Sequence, residues 1–102
     1  MATREDKIEV YIQQLESLGE KINKKRIEEI TDELGAANYN ADASYVSCSD
    51  GEELQRIYTN YCAQKLGMED QPKAMKKIYT VCEKMKDQKK KHRAVFYYLL
   101  SK

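Results

Sequence analysis

The sequence predicts an all-α protein, a small irregular bundle of four to five helices with a long ordered loop between the second and third. Apolar residues recur every three or four positions along most of the chain, and Gly or capping residues separate the periodic stretches. No stretch shows the alternating pattern of a strand. A chain of 102 residues with 41% hydrophobic side chains can build one core, so we treat residues 1–102 as a single helical domain.

The first two helices are predicted from their caps and from one apolar face each. Thr3 precedes acidic side chains, which favour the positive end of a helix, and Gly19 can end that helix in the left-handed conformation. Asn23 is the predicted cap of a second, shorter helix that ends at Gly35. The predicted apolar positions are Ile8, Tyr11, Ile12, Leu15 and Leu18 in the first helix and Ile27, Ile30 and Leu34 in the second.

Ser49 and Glu52 have the spacing of a capping box and predict the start of the third helix, which ends at Gly67. Pro72 suits the first turn of a fourth helix. The apolar faces are Leu54, Ile57, Tyr58, Tyr61, Cys62 and Leu66, then Met75, Ile78, Tyr79, Cys82 and Met85.

The fifth helix, HRAVFYYLLSK, is apolar on nearly every side, so we expect it in the middle of the bundle or under a partner. The segment before it, KDQKKK, has no apolar residue and no Gly or Pro. We expect a bend or an exposed turn near residues 87–91, although a fused fourth and fifth helix is the alternative.

The loop from residue 36 to residue 48 is unusually long for a connection without function or local order. Asn40, Asp42 and Ser44 can hold tight turns through their side chains, and Arg93 is the expected counter-charge for Asp42. The expected apolar anchors are Tyr39, Tyr45 and Val46. We interpret the loop as a structural brace, with a small-molecule pocket formed by Tyr39, Asn40, Asp42, Ser44 and Arg93 as one alternative and the wall of an active site as another.

The three cysteines predict free thiols in a cytoplasmic protein. They form no C-x-x-C pair, their number is odd, and the start MATREDKIEV is charged where a signal peptide would be apolar. The longest apolar run has seven residues, which predicts no membrane-spanning helix.

Two segments, YNADASYVSCSD at residues 39–50 and RAVFYYLL at residues 93–100, resemble a small bacterial family of unknown function. In that family a Y-N-x-D-A-S segment is followed by a helix that ends K-K-L-G and by R-A-V-F-Y-Y-L-L. The helix here ends QKLG, with Gln64 in place of the first Lys. The resemblance implies a compact helical protein and supplies no activity, substrate or cofactor.

We assign no catalytic residue, no metal ligand and no cofactor. Cys48 and His92 are the one conceivable nucleophile–base pair, but no spacing brings them together, and a buried thiol with a solvated imidazole is the simpler interpretation. A zinc site built from the three cysteines and His92 is disfavoured, because Cys62 and Cys82 fall on apolar helix faces.

The charge is divided unevenly along the chain, with a net −5 over residues 1–67 and a net +6 over residues 68–102. This pattern can attract an anionic partner or lead two copies to associate. The basic residues that could form a patch are Lys73, Lys76, Lys77, Lys84, Lys86, Lys89, Lys90 and Lys91.

The function we expect is non-catalytic: a small protein-interaction module that acts through protein contacts, with homodimer formation as one form of them. Tyr97 and Tyr98 are the expected contact residues. A nucleic-acid or polyanion binder that uses the basic C-terminal half is the alternative, and a small-molecule site or enzyme at the 36–48 loop is the second.

Overall fold

The computed structural model describes residues 3–102, and within them five α-helices and no β-strand confirm the predicted all-α bundle. The helices are α1 (Arg4–Ser17), α2 (Lys24–Leu34), α3 (Gly51–Ile57), α4 (Gln71–Lys84) and α5 (Arg93–Leu100). A 3-10 helix, Gly35–Tyr39, follows α2. A π-helical stretch, Tyr58–Ala63, continues α3.

Helices α1 to α4 begin where short polar side chains can bind free backbone N–H groups. The hydroxyl of Thr3 accepts from the N–H of Asp6 at 3.2 Å, and the Asp6 carboxylate accepts from the N–H of Thr3 at 3.0 Å. Asn23 caps α2 as predicted. The predicted capping box at Ser49 is wrong, because Asp50 caps α3: its carboxylate accepts from the N–H of Glu52 at 3.0 Å.

The junction between the last two helices is a turn, and the fused helix is excluded. α4 ends at Lys84, and residues 85–92 lead to α5 through a turn in which the N–H of Gln88 donates to the Met85 carbonyl at 2.9 Å. Met85 is fully buried at the start of this turn. The exposed polar segment that follows it therefore needs no apolar partner.

Helix α5 is the centre of the bundle and contacts α1, α2 and α4. Its buried residues are Ala94, Val95, Phe96, Tyr98, Leu99 and Leu100. Burial of a side chain as large as Phe96 or Leu100 contributes on the order of 2 kcal/mol to folding. The apolar character of α5 on nearly every side is thus explained by the protein's own helices.

The hydroxyls of Tyr11 and Tyr98 in the core have hydrogen-bond partners, as their burial requires. The hydroxyl of Tyr98 donates to the Lys21 carbonyl at 2.7 Å and accepts from the N–H of Asn23 at 3.0 Å, which ties α5 to the start of α2. Tyr97 is half-buried and stacks on Tyr61, with ring centroids 4.0 Å apart. Tyr98 is 4% exposed, so the expectation that it is a contact residue is wrong, whereas for the partly exposed Tyr97 it stays a prediction.

Within residues 3–102, no helix is long and apolar enough to cross a membrane.

The buried amide of Asn38 joins three parts of the core. Its Nδ2 donates to the carbonyls of Thr31 at 2.7 Å and Gly35 at 2.8 Å, and its Oδ1 accepts from the hydroxyl of Tyr11 at 2.8 Å. Burial, together with the nearby hydroxyls of Tyr39 and Tyr45, raises the pKa of Tyr11 to about 12, so its hydroxyl stays protonated at neutral pH.

Replacement Asn38→Ala should lower the free energy of unfolding by about 2–3 kcal/mol, because it leaves the buried Tyr11 hydroxyl without its acceptor and removes the amide donor to the Thr31 and Gly35 carbonyls. Urea unfolding followed by circular dichroism measures this change. The exposed Asn60→Ala is the matched control, with little change expected. Equal stability of the two variants would contradict the assigned role of Asn38.

Candidate functional site

The 36–48 loop holds its shape through its own backbone and through contacts with the helices. After the 3-10 helix, Oδ1 of Asn40 accepts from the N–H groups of Asp42 at 2.9 Å and Ala43 at 3.1 Å. The N–H of Ser44 then donates to the Asn40 carbonyl at 2.8 Å. These bonds are the tight turn expected for this segment, and the carboxylate of Asp42 takes no part in them.

The end of the loop pairs with the chain that enters α5. The N–H of Val46 donates to the Lys91 carbonyl and the N–H of Arg93 donates to the Ser44 carbonyl, each at 2.8 Å, on either side of a short antiparallel bridge between Tyr45 and His92. Ser44 and Val46 are buried here. Tyr39 is 50% exposed, so it is not the anchor that its size suggested.

The side chain of Arg93 fixes this arrangement from the first turn of α5. Its Nε donates to the Ala43 carbonyl at 2.6 Å and its Nη2 to the Tyr45 carbonyl at 3.3 Å. Nη2 also binds the carboxylate of Glu53 on α3, and both side chains of this ion pair are largely buried. One guanidinium therefore connects the loop, α3 and α5.

The expected pairing of Asp42 with Arg93 is wrong, because Glu53 supplies the carboxylate. Glu53 lies in the first turn of α3, where the backbone turns its side chain toward α5. Asp42 is exposed at the tip of the loop turn. An Arg whose donors meet two carbonyls and a carboxylate inside the protein is a structural anchor.

The pKa of Glu53 is lowered and the pKa of Arg93 is raised, because the hydrogen bonds of the charged groups outweigh the effect of burial. Burial would raise the pKa of Glu53, but hydrogen bonds from Arg56 and Arg93 hold it below its ordinary value. Burial would lower the pKa of Arg93, and hydrogen bonds to Tyr97 and Glu53 raise it instead. Both groups therefore stay charged at neutral pH.

Cys48 and Cys82 form a disulfide with a Cα–Cα distance of 5.9 Å, so the expectation of three free thiols is wrong. The bond joins the end of the loop to α4 across a sequence separation of 34 residues. Cys62 is the free cysteine; it is buried, and burial raises the pKa of its thiol. Sequence spacing could not reveal the pair, because the fold alone brings the two positions together.

An open groove of about 760 Å³ runs over this disulfide between the loop end and α4. We call it the lysine-lined groove. It is formed by Val46, Ser47, Cys48, Ser49, Tyr79, Cys82, Glu83, Lys86, Lys89 and Lys91. The aromatic ring of Tyr79 is its most exposed large side chain, with 56% of the residue accessible.

The structure divides the eight candidate lysines among several surroundings. Lys86, Lys89 and Lys91 line the groove, and Lys86 also pairs with Glu83 at 3.0 Å. Lys84 forms an ion pair with Glu20, which lies in the connection between α1 and α2. Lys84 is thus engaged within the fold, whereas the groove lysines lie beside an exposed aromatic ring.

The other four lysines lie outside the groove. Lys73 and Lys76 are exposed on α4. Lys77 donates to the Lys102 carbonyl at 2.7 Å, and Nζ of Lys90 lies 5.4 Å from the ring centroid of Tyr45. These lysines contribute to a basic surface without forming a shaped site.

Comparison with protein families matches residues 10–102 to DUF2853, described as a protein of unknown function. The chain belongs to the DUF2853 family. The match includes both the loop segment and the fifth helix, and it confirms the resemblance to a family of unknown function. A search of the curated proteins finds no match for this DUF2853 chain.

The Cys48–His92 hypothesis fails in the DUF2853 chain because Cys48 is held in the disulfide. His92 lies between two aromatic rings, with centroid distances of 5.4 Å to Tyr11 and 5.2 Å to Tyr45. Burial, with the nearby charges of Lys7 and Lys90, lowers the pKa of its imidazole. His92 is therefore a neutral packing residue at neutral pH.

In the DUF2853 chain, the expected place of Tyr79 on the apolar face of the fourth helix is wrong, since it is exposed, and sequence reasoning missed Glu53. The buried positions of α4 are Ala74, Ile78 and Val81, followed by Met85 after the helix end. This narrow stripe leaves Tyr79 about 100° away from Ile78 around the helix. A stricter helical count could have found Tyr79, whereas the role of Glu53 depends on a contact between distant parts of the chain.

In the DUF2853 chain, Arg93→Lys should lower the free energy of unfolding by about 2 kcal/mol, because one ammonium cannot reproduce the spread of the guanidinium donors. Thermal unfolding should show a fall of roughly 10 °C in the midpoint. The matched control is Arg56→Lys, which changes the exposed partner of the same Glu53 and should have a much smaller effect.

Asp42→Ala should leave the midpoint of thermal unfolding nearly unchanged. A fall as large as that of Arg93→Lys would instead show that Asp42 is a structural partner of Arg93.

The Glu53 pair should stabilise the DUF2853 chain in a pH-dependent way. Because the folded pKa of Glu53 is lowered, its stabilisation is complete above its ordinary pKa of 4.5 and is lost as the pH falls through the folded value. The difference in unfolding free energy between the wild type and Glu53→Gln should therefore be largest at neutral pH and shrink in acid. Urea titrations at several pH values test this, and a constant difference would contradict it.

Proposed function

We propose that this DUF2853 protein is a non-catalytic protein-interaction module that binds an acidic segment of a partner protein in the lysine-lined groove. The observation that carries the proposal is the exposed ring of Tyr79 in an open groove beside three lysines. Tyrosine is enriched among the residues that dominate binding at protein interfaces, since it offers a large apolar surface and a hydroxyl.

The charge of the groove supports an acidic partner. Three lysines and one glutamate line it, and that glutamate, Glu83, is already paired with Lys86. Lys89 and Lys91 line the same groove as Tyr79, Lys91 with one N–H donated to the Gln88 carbonyl at 3.2 Å, and the loop end adds the hydroxyls of Ser47 and Ser49. An extended segment with carboxylates and an apolar side chain would complement these groups, and the attraction would speed its association.

A peptide fits this groove better than a nucleic acid does. Single-stranded nucleic acids are bound by a charged groove together with several rings on which successive bases stack. Tyr79 is the one aromatic ring among the residues that form the groove. The polyanion alternative uses the three groove lysines together with the other basic residues of the C-terminal half, and experiment separates it from the proposal.

The non-catalytic character is supported by the use of Arg93 as an anchor. The loop residues that could have formed a small-molecule site are divided: Ser44 is buried, Tyr39 and Asp42 are exposed, and Arg93 is engaged with backbone carbonyls and Glu53. The bacterial and cytoplasmic setting, which the sequence resemblance and composition favour, is part of this proposal.

The test is fluorescence anisotropy with a labelled ten-residue peptide of Glu and Asp that contains one Leu, at low ionic strength. We expect saturable binding that weakens about tenfold or more when Tyr79→Ala is combined with Lys89→Gln and Lys91→Gln. The matched control is Lys24→Gln with Lys25→Gln, which removes the same charge from the exposed start of α2. Equal loss in the control would contradict the proposal.

Two further measurements separate the alternatives. A labelled single-stranded oligonucleotide that binds more tightly than the peptide would favour the polyanion binder over this proposal. Light scattering at micromolar concentration that shows a dimer, with the dimer lost in the Tyr79 and lysine variant, would identify a second copy as the occupant of the groove.

A further inference from the structure

The Cys48–Cys82 disulfide lies where a small charged molecule can reach it. Both cysteines are half-buried, and both line the lysine-lined groove together with Lys86, Lys89 and Lys91. A structural disulfide in a core is shielded from thiols in solution, whereas this one is part of the wall of an open groove. Its setting combines access with positive charge.

We propose that Cys48 and Cys82 form a reversible thiol–disulfide exchange site that reacts preferentially with anionic low-molecular-weight thiols of the glutathione class. The lysines would attract the carboxylates of such a thiol and would stabilise the thiolate that leaves. In a reducing compartment, disulfides that form are usually transient or redox-sensing. This inference does not require the partner binding proposed above.

The exchange proceeds in two displacement steps that balance in electrons. A glutathione thiolate attacks one Sγ atom, forms a mixed disulfide with it and breaks the Sγ–Sγ bond, whose electron pair leaves on the other Sγ as a thiolate. A second glutathione thiolate attacks the glutathione sulfur of the mixed disulfide. This step releases oxidised glutathione and the second cysteine thiolate, so the protein disulfide is reduced and two glutathione thiols are oxidised.

The fold can undergo this change because the loop is held independently of the disulfide. Ser44 and Val46 keep their backbone bonds to Arg93 and Lys91, and the Arg93 side chain still holds the carbonyls of Ala43 and Tyr45. Reduction therefore frees the short stretch around Cys48, between Val46 and the α3 cap. The effect of the exchange is centred on one wall of the groove.

The third cysteine does not interfere with this pair. Cys62 is completely buried, and burial raises the pKa of its thiol, which keeps it protonated and poorly nucleophilic. It cannot readily attack the Cys48–Cys82 bond and exchange partners with it. The chain thus contains one reactive pair and one inert thiol among its three cysteines.

The test measures the rate at which the oxidised full chain reacts with glutathione and with the neutral thiol 2-mercaptoethanol. Quenched alkylation followed by mass spectrometry counts the free thiols over time, and each rate is divided by that of the same thiol with a small neutral disulfide. We expect a preference for glutathione that falls about threefold to tenfold in Lys89→Gln with Lys91→Gln, or in high salt. The control Lys24→Gln with Lys25→Gln should keep the preference.

Three results would overturn the proposal. The first is a chain in which Cys48 and Cys82 both remain alkylatable after equilibration with oxidised glutathione. The second is an equal normalised rate for the two thiols in the wild type. The third is loss of the helical circular dichroism signal at 20 °C on reduction, which would make the bond a purely structural one; Cys48→Ser, which mimics the reduced state without reagent, should keep that signal.

Discussion

The arrangement of this protein depends on a single guanidinium, that of Arg93. It lies at the start of the most buried helix, and it connects two carbonyls of the loop to a carboxylate on α3. A loop of this length has a large conformational entropy, and its polar backbone must find partners when it is laid on a core. The planar donors of Arg93 satisfy several of these groups at once, and Glu53 keeps the buried charge compensated. Arg93 thereby fixes the loop that leads into the groove wall, and the Cys48–Cys82 disulfide fixes the wall itself.

Much of the fold follows from local rules that a sequence displays. Helix faces repeat every three or four residues, and the starts at Thr3 and Asn23 need only a side chain that can reach its own backbone. The central position of the fifth helix could be predicted because no solvent-facing helix is apolar on nearly every side. The turn before α5 was predicted because the segment KDQKKK has no apolar side chain that could pack on the core.

The site could not be predicted to the same degree, because its contacts join distant positions. Charge alone does not distinguish Glu53 from Asp42 as the partner of Arg93. The packing of the helices brings Glu53 to Arg93 and leaves Asp42 exposed. The pairing of Cys48 with Cys82 likewise depends on how the loop end meets α4. Tyr39 illustrates a different error, since a large aromatic residue in a loop was taken as buried and is half exposed. Size and polarity alone do not determine which side of a turn faces the core.

The position of the central helix along the chain has a consequence for biosynthesis. A ribosome delivers α1 to α4 before it delivers residues 93–100, yet those residues fill the space that the earlier helices surround. Until they emerge, the nascent chain exposes the apolar faces of four amphipathic helices, and the loop lacks the cation that orders it. Such intermediates are the species that chaperones protect from aggregation. The core is therefore completed only when α5 becomes available to pack against the earlier helices.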